Sequence, residues 1–198
     1  VVVHTFVFLS GALSDTLAAI PVHIVVWTVG GALVAGLILY RIEPHAAGEG
    51  IPSYIRGLRV DNGVLPFSQT FFKYWAALVT LSTFGNGGVV GPVGRVSAGL
   101  VFSLQNSIKR LRIPFSLEDQ RAATICGMAG AIGAIFHSSI GAGIFAVEII
   151  QKARMGYKDL FPAILSSATA VFFCKAIGWE SFYHIDAIDS FMTLHRLP

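Results

Sequence analysis

Charge is what this chain has least of: only 13% of its 198 residues are Asp, Glu, Lys or Arg, whereas 54% are hydrophobic. The mean hydropathy is +0.69. An ordinary soluble domain of this length carries about twice as many charged residues. This scarcity excludes the soluble class and predicts an integral membrane protein that crosses the bilayer several times.

Cysteine is also scarce, and the basic residues do not gather on one helix face. Cys126 and Cys174, the two cysteines, lie in apolar runs without metal-ligand spacing, so they are interpreted as buried free thiols. No metal site and no cofactor is expected. The net charge of +3 is not accompanied by a nucleic-acid motif, which excludes a nucleic-acid partner.

The first residues lack the basic region that precedes the apolar part of a signal peptide. The apolar stretch Val1 to Leu13 is too short for a complete span, which needs about 20 residues. We therefore interpret it as the end of a helix and expect the numbering to begin inside a longer protein. Residues 1–198 are expected to form a single transmembrane domain, with 179–198 as an interfacial tail or linker.

Long apolar stretches predict the helices. Pro21 to Tyr40 is the clearest span, and its small residues suit close helix packing. In the span Leu65 to Phe84, Lys73 is expected to extend its ammonium toward a membrane interface. Ser116 should cap the helix Leu117 to Phe136. The other predicted helices are Val89 to Ile108, Ile144 to Ile150 and Asp159 to Ile177.

The basic residues predict the topology. Ten of the 14 Lys and Arg residues lie in three connections, at residues 41–59, 109–121 and 152–158. The positive-inside rule places all three on the cytoplasmic side. That placement requires an even number of crossings between the connections, which half-helices that enter and return would provide.

Glycine-rich breaks interrupt this apolar pattern at GEGIP (48–52), within GNGGVVGPVGRVSAG (85–99) and at FHSSIGAG (136–143). Inside a bilayer, non-helical backbone is tolerated only where protein buries it or where it lines a polar cavity. A helix that starts at such a break has unpaired N–H groups and a partial charge of roughly +0.5 at its N-terminus. Two such starts that converge would hold an anion without any lysine.

These breaks resemble motifs of the CLC chloride channels and chloride/proton antiporters. GEGIP is similar to the family's GSGIP, GVVGP at 88–92 is similar to GREGP or GKEGP, and GAIFHSSIGAGIFAVEI at 133–149 is similar to AAAFNAPLAGVLFALEE. The resemblance implies an all-α polytopic CLC-type inverted-repeat fold with broken, re-entrant helices, of which this chain holds only the first repeat. It also implies a homodimer, and a second repeat in the same or a paired chain.

The resemblance assigns an anion pathway to two segments, and three of its positions depart from the family pattern. Val90 replaces the gating glutamate, and Ile149 replaces the inner proton-site acid. Glu49 replaces an anion-contacting serine, so its carboxylate would repel chloride. The implied pathway residues are Gly48, Glu49, Gly50, Ile51, Pro52, Gly88, Val89, Val90, Gly91, Pro92 and Val93.

The loss of both acids favours a passive voltage-gated-type channel for chloride or another small anion, without proton coupling. The alternatives are a CLC-like chloride/proton antiporter and a non-conducting assembly or regulatory subunit. An intramembrane serine protease using Ser97 and His137 is disfavoured, because the GxSG order is absent. The protein is thus expected not to be an enzyme. Arg95 is interpreted either as a pathway element or as a buried structural partner.

Overall fold

The computed structural model describes residues 2–19, 24–48, 50–60, 63–109, 116–151 and 157–179. Within those ranges the chain is all-α and contains no strand, as the sequence predicts. The helices are α1 (Val2–Ala18), α2 (Ile24–Leu37), α3 (Ile51–Arg59), α4 (Phe67–Ser82), α5 (Val90–Lys109), α6 (Leu117–Phe136), α7 (Ser139–Gln151) and α8 (Tyr157–Ala176).

The predicted first span is present from Ile24 onward, and its last part winds more loosely. After Leu37 the helix continues as a π-helical turn, Ile38–Ile42, and a short 3₁₀ turn, Pro44–Ala46, follows. Two helical stretches are long and apolar enough to cross a bilayer among the described residues: Ile24–Ile42 and Lys158–Ala176. Pro21, the first residue of the predicted span, lies outside the described residues.

The helices expose more large apolar side chains than a water-soluble monomer exposes. Along α2, Val25 is 66% exposed and Leu33 is 69% exposed, and Phe172 on α8 is 69% exposed. Contiguous apolar surface of this kind on a soluble monomer would promote association. The exposed faces instead fit lipid tails or further helices.

Helix α6 is the centre of the bundle and packs against α5, α7 and α8. Small residues allow these contacts: a Cβ atom on Gly133 of α6 would lie 2.9 Å from the Cβ atom of Ser167 on α8. Likewise, a Cβ atom on Gly143 of α7 would lie 2.8 Å from the Cα atom of Ile164. Close backbone approach therefore replaces large side chains at these crossings, as is common for membrane helices.

The three predicted breaks are present, but the third is shorter than the sequence suggested. The second comprises residues 83–89, and α5 begins at Val90, one residue after the predicted helix start, with Pro92 in its first turn. The third is reduced to His137 and Ser138, where His137 adopts a left-handed conformation with φ of 51°, and α7 begins five residues earlier than predicted. Glycine content overstated this third break because glycines inside α7 serve packing.

The predicted helix cap at Ser116 is confirmed. The amide of Asp119 donates to Oγ of Ser116 at 3.1 Å, and the amide of Ser116 donates to Oδ2 of Asp119 at 3.0 Å. This reciprocal pair is a capping box, which satisfies two amides at the start of α6.

Of the three basic connections, residues 110–115 and 152–156 lie outside the described residues, as do residues 180–198 of the predicted tail.

Candidate anion site

The starts of α3 and α5 meet through backbone atoms. Gly50, the residue before α3, has φ of 105°, a conformation that residues with a Cβ atom rarely adopt. A Cβ atom there would lie 2.6 Å from the carbonyl oxygen of Gly91 and 3.1 Å from the nitrogen of Pro92. Glycine at position 50 is thus required twice, for its dihedral angle and for its close contact with α5.

Each of the two starts presents amide groups without an intrahelical acceptor. In α3, the first bond is donated by the amide of Tyr54 to the carbonyl of Gly50 at 2.9 Å. In α5, it is donated by the amide of Val93 to the carbonyl of Val89 at 3.1 Å. The amides that precede these donors in the first turns have no acceptor inside the helix, whereas Pro52 and Pro92 have no N–H.

A cavity of about 490 Å³, which we call the junction cavity, lies where these two helices start. Gly48, Ile51, Val90 and Gly91 line it, so it receives residues from both breaks. Its remaining lining residues are Leu39, Lys73, Ala76, Ala77, Thr80, Leu81, Asn86, Gly87, Gly88 and Pro92. Two partial positive helix ends and one formal cation, Lys73, therefore meet in one space.

Lys73 corrects the sequence prediction. Its side chain does not extend to an interface: the residue is 5% exposed, and its ammonium donates to the carbonyl oxygen of Gly48. In an isolated apolar helix, a lysine side chain would extend toward water. Here the break at Gly48 places a carbonyl oxygen next to the ammonium instead. The site thus contains a lysine that the two motifs did not indicate. Its position in the middle of an apolar helix was the one available signal.

The predicted pathway residues do not all line the junction cavity. Pro52 borders a different cavity, on another face of α3. Val93 is buried in a core cluster with Phe6, and Val89 packs against that cluster. Glu49 lies outside the described residues.

Val90 and Ile149, the two positions that lack the family's acids, approach the same core. Both are partly buried and pack against the cluster that contains Tyr54, Met128 and Val147. Glu148, the acid beside Ile149, is exposed. The surroundings of both positions are thus apolar, which suits aliphatic side chains.

Arg95 lies outside the junction cavity and is held by neutral groups. It is 3% exposed, and its guanidinium donates to Oγ1 of Thr70 and to Oε1 of Gln69, both at 3.3 Å. Of the two interpretations, this geometry supports a buried polar contact between α4 and α5. It also places Arg95 at the second cavity, beside Pro52.

The geometry does not assemble a catalytic pair or a metal site. No hydrogen bond joins Ser97 to His137 within the described ranges, and Nε2 of His137 is buried there without a partner. Over the same part of the chain, no group of three His, Cys, Asp or Glu residues is placed to hold a metal ion. Cys126 and Cys174 are free thiols.

Three features define the class of this protein: exposed apolar helices, helix starts inside the bundle and a cavity between those starts. The class is that of helical membrane proteins with broken helices. Channels and transporters of this class bind their substrates where the broken helices meet. The comparison with known families narrows this class. The family model described as voltage gated chloride channel matches residues 31–197. The chain belongs to this family, the CLC channels and transporters, and is an integral membrane protein.

Two curated proteins match the chain at 28% identity. A protein of Ralstonia nicotianae, whose name describes it as a ClcB-like chloride channel protein, is 28% identical over 199 residues, covering 96% of this chain and 46% of that protein. An uncharacterised protein of Methanocaldococcus jannaschii is 28% identical over 152 residues, covering 77% of this chain and 34% of that protein. The chain thus spans less than half the length of these relatives.

Proposed function

We propose that the chain forms one half of a passive pathway for chloride or another small anion, and that the anion binds in the junction cavity. The observation that carries the proposal is the contact between Gly50 and Gly91, which brings two helix starts together. Unpaired amides and the positive ends of two helix dipoles favour a small anion between them. The binding residues are proposed to be those of the predicted segments 48–52 and 88–93 that line this cavity, with Lys73 added.

Lys73 supplies the formal charge that two partial charges lack. Its ammonium is buried against Gly48, so solvent screens it less than an exposed lysine. An anion near it would gain about 2 kcal/mol at an effective dielectric constant near 20 and a separation of about 8 Å. Glu49 opposes this attraction if its carboxylate faces the same space, so the balance between these two residues sets the anion affinity.

The movement is proposed to be uncoupled from protons. A proton carrier must titrate on the pathway, and neither valine nor isoleucine can do so. Val90 lines the junction cavity at the gate position, and Ile149 packs against the apolar core at the inner position. The antiporter alternative would need other titratable groups in their place.

The remaining expectations complete the proposal for the whole protein. A second repeat, in the same or a paired chain, would supply the other side of the pathway, and two subunits would form a homodimer in the lipid bilayer. Residues 1–198 would be one transmembrane domain followed by an interfacial tail from 179. The connections at 41–59, 109–121 and 152–158 would face the cytoplasm.

The test is reconstitution of the full-length protein in liposomes with a chloride gradient, recording chloride efflux and internal pH together. The expected result is chloride efflux with no proton uptake above that of protein-free liposomes. Proton movement in a fixed ratio to chloride would overturn the passive mechanism in favour of the antiporter. Absence of any anion flux from correctly assembled protein would favour the non-conducting subunit.

A further inference from the structure

We propose that a second cavity, on another face of α3, binds a phosphate-bearing anion. This cavity, which we call the arginine cavity, has a volume of about 800 Å³. Pro52, Ser53 and Arg56 of α3 line one part, and Gln69 of α4 and Arg95 of α5 line another. The proposal does not depend on conduction through the junction cavity, because a different set of residues forms each cavity.

The first reason is the state of Arg95. Its guanidinium has five N–H donors, yet the two acceptors it reaches, Gln69 and Thr70, are both uncharged. Across the described residues it takes part in no ion pair, although the residue is 3% exposed. A buried cation needs charge compensation as well as hydrogen bonds, because burial removes the solvation that water gives it. An anion in the adjoining cavity would provide that compensation.

The second reason is the charge of the lining. Arg56 brings a second guanidinium, and His45 adds a further side chain that can donate a hydrogen bond. The hydroxyl of Ser53 already donates to the carbonyl of Gly50 at 2.8 Å. No carboxylate of the described chain lines the cavity. Glu43, which precedes the 3₁₀ turn, is not among the lining residues and accepts a hydrogen bond from Oγ of Ser68 at 2.6 Å. The described lining therefore carries net positive charge.

The third reason is size and shape. A cavity of this volume is of the size that holds small organic ligands and is far larger than a single halide requires. A guanidinium group binds two oxygens of a phosphate at once, and two guanidinium groups line this cavity. The cavity also lies beside the turn that follows the apolar helix α2 and at the start of α4. A phosphate could arrive there either from a lipid headgroup or from solution.

The structure also shows how the sequence holds Arg95 in place. A Cβ atom on Gly99, one turn further along α5, would lie 3.0 Å from Nη1 of Arg95 and would overlap Thr70. Glycine at this position therefore leaves room for the guanidinium and its Thr70 contact. The buried cation is thus accommodated by α4 and α5 together.

The test measures thermal unfolding of the full-length protein in detergent, with inorganic phosphate replacing chloride at constant ionic strength. Phosphate should raise the unfolding temperature in a saturable way. Arg95→Gln and Arg56→Gln should each weaken the apparent phosphate affinity about tenfold, the loss expected for one charge-assisted contact. Lys175→Gln, which removes an exposed cation of α8, and Lys73→Met, which alters the junction cavity, should leave that affinity unchanged.

A second arm identifies the source of the phosphate. Native mass spectrometry would compare retention of phosphatidic acid and of zwitterionic phosphatidylcholine by the wild type and by Arg56→Gln, whose exposed position makes misfolding avoidable. Selective retention of phosphatidic acid that Arg56→Gln loses supports a lipid headgroup, whereas a phosphate shift without lipid retention supports a soluble ligand. The proposal is overturned if neither probe binds, or if the two cavity variants behave as Lys175→Gln does.

Discussion

The carbonyl oxygen of Gly91 lies only 2.6 Å from the position that a Cβ atom would take at Gly50. The two helices start 39 residues apart in the chain, at Ile51 and Val90, yet their starts touch without a side chain between them. This contact is possible only for glycine, and it determines the position of α3 against α5. It also explains why the first break needs a glycine directly before the helix.

Gly50→Ala is expected to destabilise the protein and to reduce anion flux. Alanine at a φ of 105° costs roughly 1–3 kcal/mol in backbone strain, and the overlap with Gly91 adds to it. Thermal unfolding in detergent measures the effect. Gly36→Ala is the matched control, because a Cβ atom at Gly36 meets nothing within 4 Å, so α2 should keep or gain stability. Equal effects of the two variants would contradict the proposed role of the contact.

Lys73→Met is expected to lower the chloride affinity of the junction cavity by about ten- to thirtyfold, because it removes roughly 1.5–2 kcal/mol of attraction. Chloride titration by calorimetry and liposome efflux would both report it. Lys73→Arg keeps the charge and should retain most of the affinity. Lys175→Met, at an exposed site on α8, should leave chloride binding at the wild-type level. An unchanged affinity in Lys73→Met would remove this lysine from the site.

Val90→Glu is expected to slow chloride flux, because its carboxylate would compete with the anion in the junction cavity. Protonation would neutralise that carboxylate, so the flux of this variant should rise more steeply than wild-type flux as the pH falls. Val90→Gln has nearly the same size without the charge and separates repulsion from obstruction. Flux of Val90→Glu that equals the wild type at every pH would place Val90 off the pathway.

Glu49→Ser is expected to increase chloride affinity. The residues on both sides of Glu49, Gly48 and Gly50, belong to the junction of α3 and α5, and a carboxylate between them would repel chloride. A neutral hydroxyl removes the repulsion and adds a donor. The measurement is chloride titration of the wild type and the variant side by side, with Glu118→Ser on the exposed first turn of α6 as the control. A lower affinity in Glu49→Ser would mean that the acid assists anion binding.

Ser116→Ala is expected to destabilise the start of α6 by about 1 kcal/mol, because it removes one half of the capping box with Asp119. Hydrogen exchange at the amides of the first turn, followed by mass spectrometry, would detect the loss. Ser107→Ala is the control, since this exposed hydroxyl bonds only to the carbonyl of Ser103 in its own helix. Faster exchange in both variants would indicate a general effect of removing a serine.

Local chemistry accounts for the predictions that were correct. The helix start at the first break (48–52) and the cap at Ser116 each depend on residues within one turn of each other, so the sequence contains all the relevant contacts. The predicted extent of the third break was wrong because one of its glycines serves packing. Gly143 lies inside α7, where its lack of a Cβ atom allows Ile164 of α8 to approach. Some glycines allow an unusual backbone conformation, and others allow a neighbouring helix to pack closely. The sequence does not distinguish these two roles.

The long-range partners were beyond prediction because they come from other helices. Lys73 binds a carbonyl 25 residues earlier, and Arg95 donates to Thr70, also 25 residues earlier, across a helix crossing. Each of these two side chains had several possible partners in the sequence. Its actual partner is determined by the packing of α4 against α5 and against the first break. Ser97 and His137, a catalytic pair that the sequence disfavoured, are not joined by a hydrogen bond.

By itself, the sequence determined that the protein lies in a membrane, that its helices are broken at glycine and proline, and that the broken ends carry the motifs of a voltage gated chloride channel. These properties follow from hydropathy and from the backbone freedom of single residues. Only the tertiary structure decided that Gly50 and Gly91 touch, that Lys73 belongs to their cavity and that Arg95 faces a separate one. Each of those relationships depends on how rigid helices cross, and no local pattern specifies the crossing.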